Sequence, residues 1–223
     1  MQYIDWGIID YKAAWDRQNA LFDALVEQKK HPRENHGGGE VAQRFIVCEH
    51  PHVYTLGRNG QANNLLITNE LLQKIGASYY HIDRGGDITY HGPGQLVGYP
   101  ILDLERLGIT LEEYIFCLEE AIILTLADYG VAASRMEKAR GVWLDAGGAQ
   151  PRKICAIGVR VRQQVTMHGF AFNVCPDLSY FSHINPCGFV DKGVTSLSKE
   201  LGEPVDVEEV KRKIYGCFQA LVI

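Results

Sequence analysis

Apolar positions recur at helical spacing in 12–30, where Trp15, Leu21, Phe22, Leu25 and Val26 are separated by polar residues. That pattern predicts an amphipathic helix. The stretch 31–40 carries Pro32 and the run Gly37-Gly38-Gly39 and reads as a loop. Residues 44–48 and 53–56 are strand-like, with Pro51 between them. Residues 68–75 form a short helical pattern with Thr68 or Asn69 as cap and Gly76 as stop. A strand over 78–83 and a glycine-rich stretch over 84–98 follow, with apolar 99–104 as a further strand candidate. Thr110 to Tyr129 is the clearest helix: Thr110 and Glu113 have capping-box spacing, and Gly130 stands just past its end. Strand-like runs at 153–162 and 166–174 precede a loop-like 175–194 and helical patterns at 196–201 and 205–221.

Strands and helices are interspersed without regular βαβ alternation. The expectation is an α+β fold, with mixed or antiparallel sheets flanked by helices, in one domain over 1–223. The 46% apolar and 22% charged composition is that of a globular chain and excludes a disordered tail, a collagen-like repeat and a coiled coil. No apolar run reaches the length of a membrane span, and the N-terminal residues lack a basic and then apolar leader. The net charge of −5 argues against a nucleic-acid binder. Six cysteines, none in a C-x-x-C pair, read as reduced thiols of a cytoplasmic protein.

Four features could carry chemistry. Arg84-Gly85-Gly86-Asp87-Ile88-Thr89-Tyr90-His91-Gly92-Pro93-Gly94-Gln95 could bring backbone close to a ligand. It is neither a P-loop nor a dinucleotide fingerprint, and an ordinary turn would explain it equally well. Cys187 lies between Pro186 and Gly188, where a thiol is approachable, although a lone Cys is usually inert. Lys153 opens an apolar run, and in a regular strand it shares a face with Cys155, a rival thiol. A lysine there is most often a solvated charge. Cys48, His50 and His52 have zinc-like spacing, but Pro51 breaks the strand and no fourth ligand follows. His168 in His168-Gly169-Phe170-Ala171 could equally be a core residue. Residues 135–162 carry seven basic side chains against Glu137 and Asp145, either a solvated face or a docking patch.

Taken together, these stretches resemble the octanoyltransferases of lipoate synthesis, the LipB family. The match rests on Arg84 to Gln95, on Glu49-His-Pro-His-Val-Tyr-Thr-Leu-Gly57, on Lys153-Ile-Cys-Ala-Ile-Gly-Val-Arg160, and on Asn173 to Gly188 ending in Pro-Cys-Gly. It runs from about Tyr3 to the last helix. The resemblance implies a fold similar to lipoate- and biotin-protein ligases. It implies transfer of octanoyl from acyl carrier protein to a lysine of lipoyl domains, in 2-oxo acid dehydrogenase complexes and the glycine-cleavage H protein. It assigns the nucleophile to Cys187 and the essential lysine to Lys153. It assigns substrate binding to Arg84, Gly85, Gly86, Asp87, Ile88, Thr89, Tyr90 and His91, to Ala156, Ile157 and Gly158, and to Gly169, Phe170 and Ala171. Cys155 stands where the motif often has Ala, which reads as small-residue packing.

The implied chemistry needs no cofactor, metal or nucleotide, because thioester to amide is downhill. It implies a monomer with protein partners, and no nucleic acid or membrane. A lysine ammonium beside Cys187 would favour the thiolate, and a neutral lysine would take its proton. Burying six methylenes of an octanoyl chain contributes roughly 5 kcal/mol before ordering costs, so an apolar tunnel is expected beside the glycine-rich segment. The basic 135–162 region would meet the acidic carrier. Three alternatives remain: an ATP-dependent ligase on the same fold, a thiol hydrolase pairing Cys187 with His168 or His183, and a catalytically dead binding module for acyl carrier protein or a lipoyl domain.

Overall fold

The computed structural model describes residues 1–30, 41–185 and 192–222. The loop expected over 31–40 lies outside the described residues, as does the Pro186-Cys187-Gly188 turn. The strands are β1 (Gln2–Ile8), β2 (Arg44–Glu49), β3 (Val53–Leu56), β4 (Ser78–His81), β5 (Ile88–His91), β6 (Gln95–Ile101), β7 (Ser134–Met136), β8 (Ala139–Leu144), β9 (Arg152–Arg162), β10 (Val165–Asn173) and β11 (Gly193–Val194). The helices are α1 (Tyr11–Lys30), α2 (Asn69–Lys74), α3 (Leu104–Leu107), α4 (Leu111–Asp128), α5 (Leu197–Leu201) and α6 (Val207–Val222). Among the described residues the strands form a large sheet in the order β1-β2-β6-β10-β9-β8-β7, with β11 beside β9, and a small sheet β4-β3-β5. The large sheet mixes parallel and antiparallel pairs, as the α+β expectation has it.

One face of the large sheet packs on α4 and α6, through Phe45, Leu96, Tyr114, Leu118, Phe172 and Phe218. The other face carries α1. Its buried positions Ala14, Gln18, Phe22 and Leu25 recur every three or four residues. Gln18 is a polar member of that face, and its side chain accepts from the His168 N–H (3.2 Å). The small sheet has its own cluster of Tyr54, Leu56, Leu72, Tyr90 and Ile184.

Local signals hold where the sequence was most explicit. At α4 the Thr110 N–H donates to the Glu113 carboxylate (2.7 Å), and the Glu113 N–H donates back to the Thr110 hydroxyl (3.2 Å). Gly130 follows with φ +74, a conformation that suits glycine. Thr68 and Ser196 cap α2 and α5 with their hydroxyls alone, accepting from the Leu71 and Lys199 N–H groups. The glycine-rich 84–98 is not loop throughout, because β5 and the start of β6 lie inside it. The loop-like 175–194 includes a 3-10 turn at Leu178–His183 and the short β11. No helix among the described residues is long and apolar enough to cross a membrane.

Thr110→Ala removes the α4 cap and should cost about 1 kcal/mol. The thermal midpoint should then fall by about 2–4 °C with catalysis at 25 °C unchanged. Calorimetry alongside an activity assay checks both.

Candidate active site

The turn after β3 fixes the glycine-rich segment. Arg58 N–H donates to Arg84 C=O (3.0 Å), Asn59 N–H to Gly86 C=O (3.2 Å) and Gly57 N–H to Asp87 C=O (3.3 Å). Asp87 tightens the bend, accepting from Ile88 N–H (2.7 Å) and from the Asn64 amide (2.6 Å). From there the segment reaches the large sheet, where Gly85 N–H donates to Val159 C=O on β9 (3.0 Å). A Cβ on Gly158 would lie 2.8 Å from the Gly85 carbonyl oxygen, so this crossing requires glycine.

Beneath the crossing lies a cavity of about 860 Å³. It is lined by Arg84 to Thr89, His91, Lys153, Ala156 to Gly158, and Gly169 to Ala171. The structure thus brings together every described residue of the expected site except Tyr90. On β5, Tyr90 is not part of the cavity wall. Its hydroxyl meets His52 Nδ1 (2.7 Å), and its ring stacks on Tyr180 (4.9 Å) in the small-sheet cluster. Cys187 lies outside the described residues. Asn185 and Lys192, on either side of that segment, both line the cavity.

Lys153 reaches the cavity through an irregularity that periodicity does not reveal. Between β8 and β9, Val142 pairs with Cys155 but Trp143 pairs with Lys153. The extra residue on β9 is a β-bulge. Ile154 and Cys155 both enter the core, while Lys153 turns to the cavity face, its Nζ 4.6 Å from the centre of the Trp143 ring. The shared face expected for Lys153 and Cys155 is therefore corrected. Cys155 is fully buried, and burial pushes its thiol far above the usual range, which makes it inert.

A directed chain of hydrogen bonds backs the cavity. The Arg84 guanidinium donates to Thr55 C=O (2.8 Å) and to Thr55 Oγ1 (3.0 Å). Thr55 Oγ1 lies 3.2 Å from His91 Nε2, and His91 Nδ1 lies 2.8 Å from Gln95 Oε1. Gln95 Nε2 donates to Asn173 Oδ1 (2.8 Å) and Tyr90 C=O (3.1 Å), and the Asn173 amide donates to Thr195 C=O (3.0 Å). The amide orientations give His91 a proton on Nδ1 and an acceptor at Nε2. Burial, the nearby His50 and the Arg84 charge hold His91 well below the usual range, so it is neutral. Thr55, Gln95 and Asn173 lie within the stretches that carry the family resemblance, but only the fold shows that they form one chain.

The remaining candidates are engaged elsewhere. His50 Nδ1 faces Ile9 C=O (2.8 Å) and Nε2 faces the Tyr99 hydroxyl (2.7 Å), and burial lowers its pKa to about 4. His52 instead stacks on Tyr180 (4.1 Å), so Cys48, His50 and His52 do not converge as ligands. His168 Nε2 meets Asp83 (3.0 Å), and His183 Nδ1 meets the Tyr54 hydroxyl (2.9 Å). The basic 135–162 run is not one open face. Arg135 pairs with Glu119 and Glu120, Arg152 with Glu200, Arg160 with Asp83 and Arg162 with Asp23. Lys138 and Arg140 line the cavity.

Solved structures share this architecture. A bipartite lipoate protein ligase from Thermoplasma acidophilum superposes with a TM-score of 0.68 at 16% identity, covering 99% of this chain and 82% of that one. A biotin protein ligase from Aquifex aeolicus gives 0.52 at 13% identity, over 99% and 68%. The class is thus the catalytic fold of lipoate and biotin protein ligases. The family model described as "Lipoyl protein ligase A/B catalytic domain" matches residues 10–219. An octanoyltransferase of Bacteroides fragilis is 60% identical over 210 residues, 94% of this chain and 92% of the relative. One of Flavobacterium psychrophilum is 52% identical over 222 residues, 99% and 96%. The chain belongs to the lipoyl protein ligase A/B catalytic domain family, on its octanoyltransferase branch.

The depressed His50 makes stability pH-dependent. Its folded pKa of about 4 lies below the ordinary value of 6.5, so its contribution is present above pH 6.5 and is lost as pH falls towards 4. Between pH 7.5 and 5, unfolding should become easier by about 2 kcal/mol from this group. His50→Gln, which cannot take the proton, should flatten that slope in urea titrations across the range.

Proposed function

We propose that this chain transfers an octanoyl group from the thioester of an acyl carrier protein to the side-chain amine of a lysine on a lipoyl domain. The observation that carries the reading is the convergence of Lys153 and the glycine-rich segment on one cavity, whose lining includes Val97, Ala156, Ile157, Phe170 and Ala171. The octanoyltransferase name of relatives 49–60% identical supplies the acyl group. An ATP-dependent ligase is not favoured, since relatives 49–60% identical over nearly the whole chain are named octanoyltransferases.

In this reading residues 1–223 form one catalytic domain and Cys187 is the nucleophile. Its thiolate attacks the thioester carbonyl carbon, a new C–S bond forms, and the carrier's C–S bond breaks. The carrier leaves as a thiol, carrying the proton that Cys187 gave up. The incoming amine then attacks the acyl-enzyme, a C–N bond forms, and the Cys187 C–S bond breaks. The amine's proton returns to Cys187 by way of Lys153. An ammonium at Lys153 favours the thiolate in the first half, and the neutral amine accepts a proton in the second. Backbone N–H groups of the glycine-rich segment are candidate donors to the thioester oxygen as charge develops on it. Arg84, Gly85, Gly86, Asp87, Ile88, Thr89 and His91 form one wall for the acyl group. Ala156 to Gly158 and Gly169 to Ala171 form its floor.

The test is intact-protein mass spectrometry after mixing with octanoyl-acyl carrier protein in the absence of ATP, followed by apo lipoyl domain. Wild type and Cys155→Ala should carry one octanoyl adduct and pass it on, and Cys187→Ala should carry none. Lys153→Met should lower adduct formation by roughly a hundredfold or more. Acceptor labelling that requires ATP and free octanoate would overturn the reading.

A further inference from the structure

Strand β8 carries a distortion of its own. Arg135 of β7 pairs with Val142, but Met136 pairs with Ala139, so Arg140 and Gly141 are passed over in the ladder. Gly141 takes φ +115, and a Cβ there would lie 2.4 Å from the Cys155 carbonyl oxygen. Its N–H donates to the buried Glu119 carboxylate on α4 (3.0 Å), which also accepts from Arg135 (3.0 Å). The distortion is thus anchored to the core. With strand alternation broken here, the exposed Arg140 lines the cavity, as the exposed Lys138 does from the turn before it.

Strand β9, which carries Lys153, divides the cavity lining. To one side lie β10 and β6, and to the other lies β8 with Trp143 and the two cations. An acyl group on the β10 side leaves the β8 side for the rest of its donor. Trp143 joins Lys153 to the cations. Its ring centre is 4.6 Å from Lys153 Nζ, and its Nε1 donates to Ala139 C=O (2.8 Å), between Lys138 and Arg140 in sequence. Among the described residues lining the cavity, Asp87 is the one carboxylate, and Ile88 N–H and the Asn64 amide occupy it. Lys138 pairs with Glu137 (3.6 Å), but both side chains are 88% exposed, and such a pair is weak. Arg140 has no ion pair among the described residues.

We infer that Arg140 and Lys138 form an anion subsite for the phosphate that ties a carrier's pantetheine arm to the carrier, with the arm running past Trp143 to Lys153. The inference rests on the proposed transfer reaction, because that reaction places the donor's sulfur beside Lys153. The lengths agree. An extended arm has about thirteen bonds between phosphorus and sulfur, roughly 15 Å. Trp143 pairs with Lys153, and Arg140 stands three residues from Trp143, at most about 10 Å along the strand. The arginine side chain adds about 6 Å, so its guanidinium reaches the far end of the arm. A guanidinium can hold two phosphate oxygens at once, and a lysine adds a point charge.

The experiment compares three octanoyl donors to apo lipoyl domain: octanoyl-pantetheine, which lacks the phosphate, octanoyl-phosphopantetheine, and octanoyl-acyl carrier protein. Products are read by mass spectrometry. Wild type, Arg140→Gln, Arg140→Lys and Lys138→Asn run in parallel with thermal melts, asparagine being suited to the φ +60 of Lys138. Wild type should favour the phosphorylated small donor over the unphosphorylated one by roughly tenfold or more in kcat/KM at low salt. Arg140→Gln should bring that ratio close to one through KM, Lys138→Asn should lower it, and Arg140→Lys should retain part of it. If one position does not tolerate substitution, the other carries the comparison. Equal kcat/KM for the two small donors in wild type, or an unchanged ratio in the folded variants, overturns the subsite while leaving the transfer reaction intact. A loss confined to the carrier also overturns it, and points to acidic side chains of the carrier instead. Absence of transfer from all three donors by wild type overturns the reaction itself.

Discussion

One backbone contact organises this molecule: Gly85 N–H on Val159 C=O, over a glycine at 158. It ties the small sheet to the large one at a point where neither chain has a side chain to hold them apart. A Cβ at Gly158 would have to displace the Gly85 carbonyl, and the crossing would lift. Because the segment is also pinned by Arg58, Asn59 and Gly57, it cannot yield by sliding. The cavity exists because this bridge spans the sheet instead of collapsing onto it. The bonds from Arg84 through Thr55, His91 and Gln95 to Asn173 then fix the wall behind it. From Thr55 to Asn173 the bonds run in one direction, which allows such polar groups to be buried at low cost.

The second constraint is the bulge in β9. One extra residue reverses which side chain faces the core. Cys155 is packed and inert as a result, and Lys153 stands against Trp143 at the polar end of the cavity. A thiol and an amine two positions apart in sequence thereby acquire opposite fates. The same geometry excludes Cys155 as a nucleophile, since a thiol held protonated in the core does not attack.

Charge is used sparingly. Most arginines of the basic run are held by carboxylates, and Arg160 shares Asp83 with His168. The interior histidines are neutral, because burial penalises the imidazolium more than their neighbours favour it. Lys138, which pairs with Glu137 (3.6 Å), and Arg140 line the cavity beside Lys153 and Lys192.

The sequence by itself determined the helices with explicit caps, the α+β class and the stretches that make the family recognisable. Caps and periodicity are local, so Thr110, Glu113 and Gly130 carry their own instructions. It also marked the glycine-rich segment and Lys153 as candidates, without showing that they meet. Only the tertiary structure decided that Tyr90 belongs to the small-sheet cluster, that 84–98 contains strands, and that Gln18, a polar residue, lies on the buried face of α1. The run from 135 to 162 looked like one basic face because its partners Glu119, Glu120, Glu200, Asp83 and Asp23 lie elsewhere in the chain. Which face a strand residue takes depends on register with a distant strand, and a single bulge inverts it. Pairing across the sheet, which no local pattern encodes, therefore decided the geometry of the site.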